Sequence, residues 1–199
     1  DESLILGAKQ AGKTMLILVA GLILFLGVHS LQVIPGLRTR LKAGLGEGPY
    51  KLIYTALSLL GLGLLIYGKI IAHPPIVIWS PPEWTRHVAF FVVPVALILL
   101  MSAYAPGHIR RIVQHPMLAG IALWSGAHLL ANGELSAIAL FGGFFIWSVI
   151  TFVSACFRET PPPVVKGWGG DLTAIVLGVL LAMIIINVHM YLFGVAIIG

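Results

Sequence analysis

Long uninterrupted runs of apolar residues dominate the chain, and short polar segments separate them. The apolar runs cover residues 15–37, 52–68, 88–109, 117–131, 135–157 and 172–199. A helix needs about 17 to 25 such residues to cross a bilayer, so every run except the marginal 117–131 is long enough. The pattern therefore predicts an all-α fold, a polytopic membrane helix bundle of about six transmembrane helices.

The polar segments between the runs are predicted to be surface connections. Four prolines between residues 73 and 84 exclude a regular helix there, and the two tryptophans of that segment suit the headgroup region. Three consecutive prolines at 161–163 should end the fifth helix. Residues 1–14 hold four charged side chains, and we interpret them as an N-terminal extension that precedes a membrane domain of residues 15–199.

The composition agrees with a membrane protein and excludes several other classes. Hydrophobic residues make up 59% of the 199 residues and charged residues 10%, against roughly a quarter charged in soluble domains. The single cysteine, Cys156, excludes an intramolecular disulfide and a cysteine-based zinc or iron–sulfur site. Although the net charge is +5, no stripe of Lys and Arg lies beside stacking aromatics, so no nucleic-acid partner is expected.

Lys and Arg are unequally distributed over the two sides that six spans would define. Loops one, three and five hold eight of them, which are Arg38, Arg40, Lys42, Lys51, Arg110, Arg111, Arg158 and Lys166. The other side holds Lys9, Lys13, Lys69 and Arg86. By the positive-inside rule, both termini should face away from the cytoplasm, matrix or stroma. We therefore expect a multi-pass protein of a bacterial inner membrane or an organelle inner membrane, with the lipid bilayer as a partner.

The polar chemistry inside the predicted spans rests on histidine. The six runs contain no Asp, Glu, Lys or Arg, which weighs against an ion-coupled transporter. His29, His128 and His189 lie within runs, and His115 stands at the entrance to the fourth. A neutral imidazole tolerates membrane depth better than a charge does, and it is an axial ligand for haem iron.

Helical periodicity predicts the neighbours of these histidines. Residues three or four apart share a helix face, which places Trp124, Ser125 and Asn132 beside His128. Such neighbours leave room for a flat ring and offer a partner for the second imidazole nitrogen, as metal ligands require. A glycine precedes both His29 and His128 by eight residues.

Two alternatives remain open on the residues alone. His115 and His189 are rival ligands, because their predicted depths lie near those of His29 and His128 respectively. An intramembrane histidine can also serve only as an interhelical hydrogen-bond partner, and His189 has polar Asn187 close by for that role.

Five segments carry motifs that stand in a fixed order along the chain. They are residues 25–30, 48–54, 58–61, 114–120 and 123–133. In this order they resemble the NnrU family of polytopic membrane proteins, and the resemblance covers nearly the whole chain from Met15. The family is named for a link to denitrification and nitric oxide metabolism. It also contains the plant 15-cis-zeta-carotene isomerase, which is a haem b enzyme.

The resemblance to that isomerase implies a role for two histidines. His29, followed by Ser30, and His128, thirteen residues after the histidine of His115-Pro116, match the axial haem ligands. It therefore implies a haem b cofactor held by His29 and His128, with a redox or isomerase-type role linked to nitric oxide, denitrification or respiratory metabolism. Two axial histidines make the resting iron six-coordinate, so chemistry on a substrate requires one to leave. Our hypothesis is that the redox state switches that ligand off.

Two other function classes compete with a haem protein. A helical subunit or assembly factor of a larger membrane complex would use its histidines only for helix contacts, and the small extramembrane mass and Gly-rich helix faces favour it. An enzyme of the isoprenylcysteine methyltransferase type also has His-Pro leading into a span. That family carries a Glu-Glu pair and a tyrosine-rich motif downstream, whereas residues 156–163 here hold one glutamate and no tyrosine. Methyl transfer is therefore the weakest of the three hypotheses.

Overall fold

The computed structural model describes residues 2–34, 36–158, 163–165 and 167–193, and it confirms the predicted all-α fold. In chain order, the helices are α1 (Glu2–His29), α2 (Leu37–Leu45), α3 (Glu47–Ile70), α4 (Trp84–Ser102), α5 (His108–Val113), α6 (Pro116–Ala131), α7 (Leu135–Cys156) and α8 (Trp168–Phe193). A turn of 3-10 helix, Ser30–Gln32, follows α1. Residues 73–83 form no helix, as their prolines predict.

Five helices in the described ranges are long and apolar enough to cross a membrane. They are α3, α4, α7, α8 over Trp168–Tyr191, and α1 over Gly12–His29. Helix α6 is a further apolar helix, and it is shorter, as its marginal run predicts. Large apolar side chains on the spans are exposed, including Leu52 at 73% and Phe91 at 69%. Because apolar surface of this extent is stable against lipid and unstable against water, the chain is a polytopic membrane protein.

Two apolar runs contain a helix end that hydropathy did not predict. The first run was expected to form one helix as far as Leu37, but α1 ends at His29, and Gly36 takes the left-handed conformation (φ +73°) before α2 begins. The third run was expected to continue to Ile109, but α4 ends at Ser102 and α5 begins separately at His108. Hydropathy reports which residues tolerate lipid, whereas glycine and proline decide where the backbone turns.

Helices α1 and α7 have limits that differ from those of the apolar runs. Helix α1 already begins at Glu2, so most of the predicted N-terminal extension is helical and continuous with the first span. Helix α7 ends at Cys156, before the predicted proline stop. Lys166 and residues 159–162 and 194–199 lie outside the described residues.

The chain divides into two compact units, and the first comprises Asp1–Trp79 with Gly133–Gly143. In this unit α1 packs lengthwise on α3, with Leu18 and Leu65 buried between them. The segment after α3 is held by the start of α7, because the backbone N–H of Leu135 donates to the carbonyl of Ile76 over 2.8 Å. The Lys69 ammonium also lies 2.6 Å from the Glu134 carboxylate.

The second unit comprises Ser80–Asn132 with Phe144–Gly199. Here α4 packs against both α6 and α8. Glycines allow both contacts to be close: a Cβ at Gly120 would lie 2.7 Å from the carbonyl oxygen of Ala96, and one at Gly178 would lie 2.6 Å from Cα of Ile98. Small residues at such positions let the backbones of two membrane helices approach each other.

Candidate functional site

His29 lies in the last turn of α1, where its imidazole is half-buried. Its Nδ1 atom is 2.7 Å from the backbone carbonyl oxygen of Phe25, one turn earlier. A carbonyl oxygen only accepts hydrogen bonds, so Nδ1 carries the proton and the lone pair of the neutral ring is on Nε2. The Phe25 ring stacks on the imidazole at a centroid distance of 4.2 Å. Backbone and aromatic ring together fix the orientation of the histidine.

The position of Phe25 depends on a close approach between α1 and α3. A Cβ added at Gly61 would lie 2.8 Å from the backbone nitrogen of Phe25, which is shorter than real Cβ contacts. One added at Gly21 would lie 2.7 Å from the backbone nitrogen of Leu65. Gly21, which stands eight residues before His29, is therefore a helix-packing residue, and Gly61 is its counterpart on α3. By contrast, nothing lies within 4 Å of a Cβ at Gly63, so that glycine takes no part in this close approach.

His29 borders a cavity of about 200 Å³ formed by α1, α2, α3 and the turn between α1 and α2. Its wall includes His29, Arg38, Lys42, Tyr50, Lys51 and Tyr54. The Tyr54 ring lies 5.5 Å from the His29 ring, centroid to centroid. The end of the first span therefore presents an imidazole, aromatic hydroxyl groups and three cationic side chains to one space.

His128 in the second unit repeats the local arrangement of His29. It lies in the last turn of α6, and its Nδ1 atom is 2.8 Å from the carbonyl oxygen of Trp124, again four residues earlier. The Trp124 ring lies 5.2 Å from the imidazole, centroid to centroid. The same tautomer follows, with the lone pair on Nε2. Each histidine thus lies in the last turn of a helix, donates to the carbonyl at the preceding turn and contacts the aromatic ring there.

The predicted neighbours of His128 have different roles from those expected. The Nδ1 proton goes to the Trp124 carbonyl, whereas the Asn132 amide donates to the backbone carbonyl of His128 over 2.8 Å. Buried Ser125 donates to the carbonyl of Ile121 over 2.6 Å. Trp124 is held edge-on against Phe144 at 5.6 Å. Asn132 and Ser125 therefore bond to the backbone of α6, and Trp124 orients the imidazole.

Both rival ligands lie in the second unit with His128, and His189 is near enough to His128 to interact with it electrostatically. His115 immediately precedes α6, and its ring meets Phe152 edge-on at 6.0 Å. His189 lies near the end of α8, where the side chain of Asn187 donates to the carbonyl of Met183. Within the described ranges, no group of three or more His, Cys, Asp or Glu side chains is arranged to hold a metal ion. In each of the two histidines the Nδ1–H bond leaves Nε2 as the nitrogen that could bind a haem iron.

A polar cluster in the second unit was not predicted. Asp171, in the first turn of α8, accepts hydrogen bonds from the backbone N–H groups of His108 at 3.0 Å and Ile109 at 2.8 Å. Its carboxylate also lies 2.7 Å from Nδ1 of His108, whose ring stacks on Trp168. His108 and Asp171 therefore have the geometry of an ion pair. The only sequence signal was an acidic residue at a helix start, which favours the positive end of the helix dipole.

Fold and side chains define a class of protein: a multi-pass helical membrane protein with two backbone-anchored histidines, each in the last turn of a helix. The sequence model of the family described as NnrU protein matches residues 17–197. The match covers nearly the whole chain, so the protein belongs to the NnrU family. No curated protein matches the chain, and no solved structure does so.

Proposed function

We propose that this NnrU protein binds haem b through His29 and His128 and has a redox or isomerase-type role. One observation carries the proposal: both histidines donate Nδ1–H to the carbonyl of an aromatic residue one turn earlier. Metal-ligating histidines characteristically donate their second nitrogen to such an acceptor, which fixes the ring and increases the basicity of the coordinating nitrogen. Two separate units of the chain contain the same arrangement.

Each residue has a defined task in this proposal. When bound, haem b supplies a one-electron iron couple. His29 and His128 would hold the iron through Nε2. The carbonyls of Phe25 and Trp124 keep the two rings in their tautomer, and the aromatic rings limit their rotation. With both histidines in place, the chain supports electron transfer. Isomerase-type chemistry would need one of the two histidines to release the iron.

Family membership supports the physiological setting of the proposal. NnrU proteins are named for a link to denitrification and nitric oxide metabolism, and nitric oxide is a ligand of haem iron. We therefore place the redox role in nitric oxide or respiratory metabolism of the membrane that holds the protein. The apolar interior of the spans, which has no Asp, Glu, Lys or Arg between residues 15 and 37 or between 117 and 131, suits a buried porphyrin.

Haem content per chain tests the proposal directly. The full chain is expressed with haem supplementation, purified in detergent and assayed as its pyridine haemochrome. We expect about one haem per chain for the wild type and strong loss in His29→Ala and His128→Ala. His115→Ala is the matched control, because it removes the histidine that immediately precedes the helix of His128 and should leave the haem content unchanged. A wild-type protein without haem that copurifies with other membrane subunits would favour the assembly-factor hypothesis instead.

A further inference from the structure

The cavity beside His29 has an excess of positive charge that the proposed haem ligand does not explain. Arg38 and Lys42 from α2 and Lys51 from α3 line it. The acidic residue near them is Glu47, whose carboxylate lies 2.9 Å from the Lys51 ammonium and 3.7 Å from that of Lys42. Three cations and one carboxylate leave a net charge of about +2 at the cavity, which favours an anionic occupant.

The ion pairs with Glu47 leave Lys42 and Lys51 able to bind another anion. The side chains of Glu47 and Lys51 are 65% and 67% exposed, and ion pairs in such positions contribute little stability. An anion that enters the cavity can therefore replace Glu47 as the partner of either ammonium group, with little loss of free energy. Glu47 then acts as a competing carboxylate at the rim.

The cavity has the size and surroundings of a headgroup site. Its volume of about 200 Å³ is below the range of about 300 to 1,000 Å³ that encloses a whole drug-sized ligand, so only part of an amphiphile would enter. Val28 and Leu31 form an apolar part of its wall, and the hydroxyl-bearing residues Tyr54 and Thr55 provide hydrogen-bond donors. Directly after Lys51, the exposed apolar Leu52 provides a surface for an acyl chain.

We propose that this cavity binds the phosphate group of an anionic phospholipid. The basic helix α2 follows a spanning helix directly, on the side to which the positive-inside rule assigns the anionic cytoplasmic, matrix or stromal leaflet. Basic pockets at that position between spanning helices recruit phosphate headgroups. Arg38, Lys42 and Lys51 bind the phosphate oxygens, and the acyl chains remain in the bilayer beside α3. The bound lipid covers the side of the cavity that His29 borders.

The test measures lipid affinity of the full-length protein in detergent by native mass spectrometry. Phosphatidylglycerol is the probe, and zwitterionic phosphatidylcholine is the comparison lipid. Removing three cations by Arg38→Ala, Lys42→Ala and Lys51→Ala together should weaken phosphatidylglycerol binding on the order of a hundredfold. The matched control, Arg110→Ala with Arg111→Ala, removes cations predicted on the same membrane side and should change it little. Equal losses in the two variants, or equal affinity for the two lipids, would overturn the proposal.

A second variant, with an expected gain in affinity for phosphatidylglycerol, tests the proposal even if the triple variant does not fold. Glu47→Gln removes only the competing carboxylate and should bind phosphatidylglycerol roughly threefold more tightly. Unchanged or weaker binding by this variant would overturn the proposal. Inorganic phosphate is added as a competitor at the same concentration as the lipid. If it displaces phosphatidylglycerol, the occupant of the cavity is a free anion and the lipid proposal is overturned.

The same variants separate the lipid site from the haem proposal. The triple variant should lose the lipid and keep its haem, because the proposed iron ligands are untouched. Loss of haem with retention of phosphatidylglycerol would overturn the lipid assignment and assign the three cations to the haem carboxylates. If His29→Ala loses haem and still binds phosphatidylglycerol, the lipid site does not depend on bound haem.

Discussion

The imidazole of His29 donates its Nδ1 proton to the backbone carbonyl of Phe25, one helical turn earlier, over 2.7 Å. This bond leaves Nε2 as the nitrogen available to the proposed iron, and it depends on the position of the Phe25 backbone. Because Gly61 of α3 touches that backbone, the proposed iron ligand is coupled to the packing of α1 on α3. A mutation that does not touch the histidine should therefore disturb its coordination.

Gly61→Ala tests this coupling. The added Cβ would lie 2.8 Å from the nitrogen of Phe25, so α1 and α3 must separate. Overpacking of this kind typically costs about 1 to 3 kcal/mol, and we expect a lower free energy of unfolding in detergent together with partial loss of haem. Thermal unfolding and haem content are the measurements.

Gly63→Ala is the matched control on the same helix. A Cβ at Gly63 meets nothing within 4 Å, and alanine favours a helix over glycine. This variant should be as stable as the wild type or slightly more so, with its haem retained. Equal behaviour of the two variants would show that the α1–α3 contact does not control the histidine.

The extent of the helices could be predicted where local chemistry marks both ends. The run 117–131 matches α6 to within one residue, because Pro116 occupies the first turn and Asn132 is extended. The first run gave the wrong end, because residues between His29 and Leu37 are uncharged although the backbone leaves the helix there. Hydropathy contains no information on such a break.

The candidate site could be predicted by residue type but not by its surroundings. The spacing of four residues between Phe25 and His29 allows a bond between side chain and carbonyl, and this was accessible from the sequence. The cavity could not be predicted, because Arg38 and Lys51 line the same space only after the chain reverses between α1 and α3. Arg38 and Lys51 were interpreted only as topology determinants. Likewise, Asp171 finds its partners more than 60 residues away, where no local pattern identifies them.

A glycine replacement with chemical rescue tests the ligand role of each proposed histidine. His29→Gly and His128→Gly each remove an imidazole and leave a space that imidazole from the buffer can occupy. We expect each variant to lose most of its haem and to regain a low-spin absorption spectrum when imidazole is added. His115→Gly should behave as the wild type without imidazole. A variant that keeps its full haem spectrum without rescue would remove that histidine from the site.

Asp171→Ala should destabilise the second unit. The carboxylate accepts two backbone N–H groups at the start of α5 and contacts Nδ1 of His108, so alanine leaves three donors without it. We expect the unfolding temperature in detergent to fall by several degrees. Thr173→Ala, which removes an exposed hydroxyl on the same helix, is the control. A fall no larger than that of the control would contradict a structural role for the carboxylate.

The ion pair between Lys69 and Glu134 should stabilise the first unit through a measurable coupling. The two charged groups are 2.6 Å apart and about one-third exposed, and Lys69 also donates to Ser136 over 2.9 Å. A double-mutant cycle with Lys69→Ala and Glu134→Ala should give a coupling free energy of about 0.5 to 1 kcal/mol. Added salt should reduce it. A coupling of zero at low salt would show that the contact contributes nothing to stability.

The central claim is that His29 and His128 bind the same haem iron, and spectra of the purified wild-type protein in both oxidation states test it most directly. Absorption and electron paramagnetic resonance spectra should report a low-spin, six-coordinate ferric haem with two imidazole ligands, and a low-spin ferrous haem after reduction. His29→Ala and His128→Ala should each convert any residual haem to a high-spin form. A wild-type protein that takes up no haem after supplementation would contradict the account. So would variants His29→Ala and His128→Ala whose spectra are the same as that of the wild type.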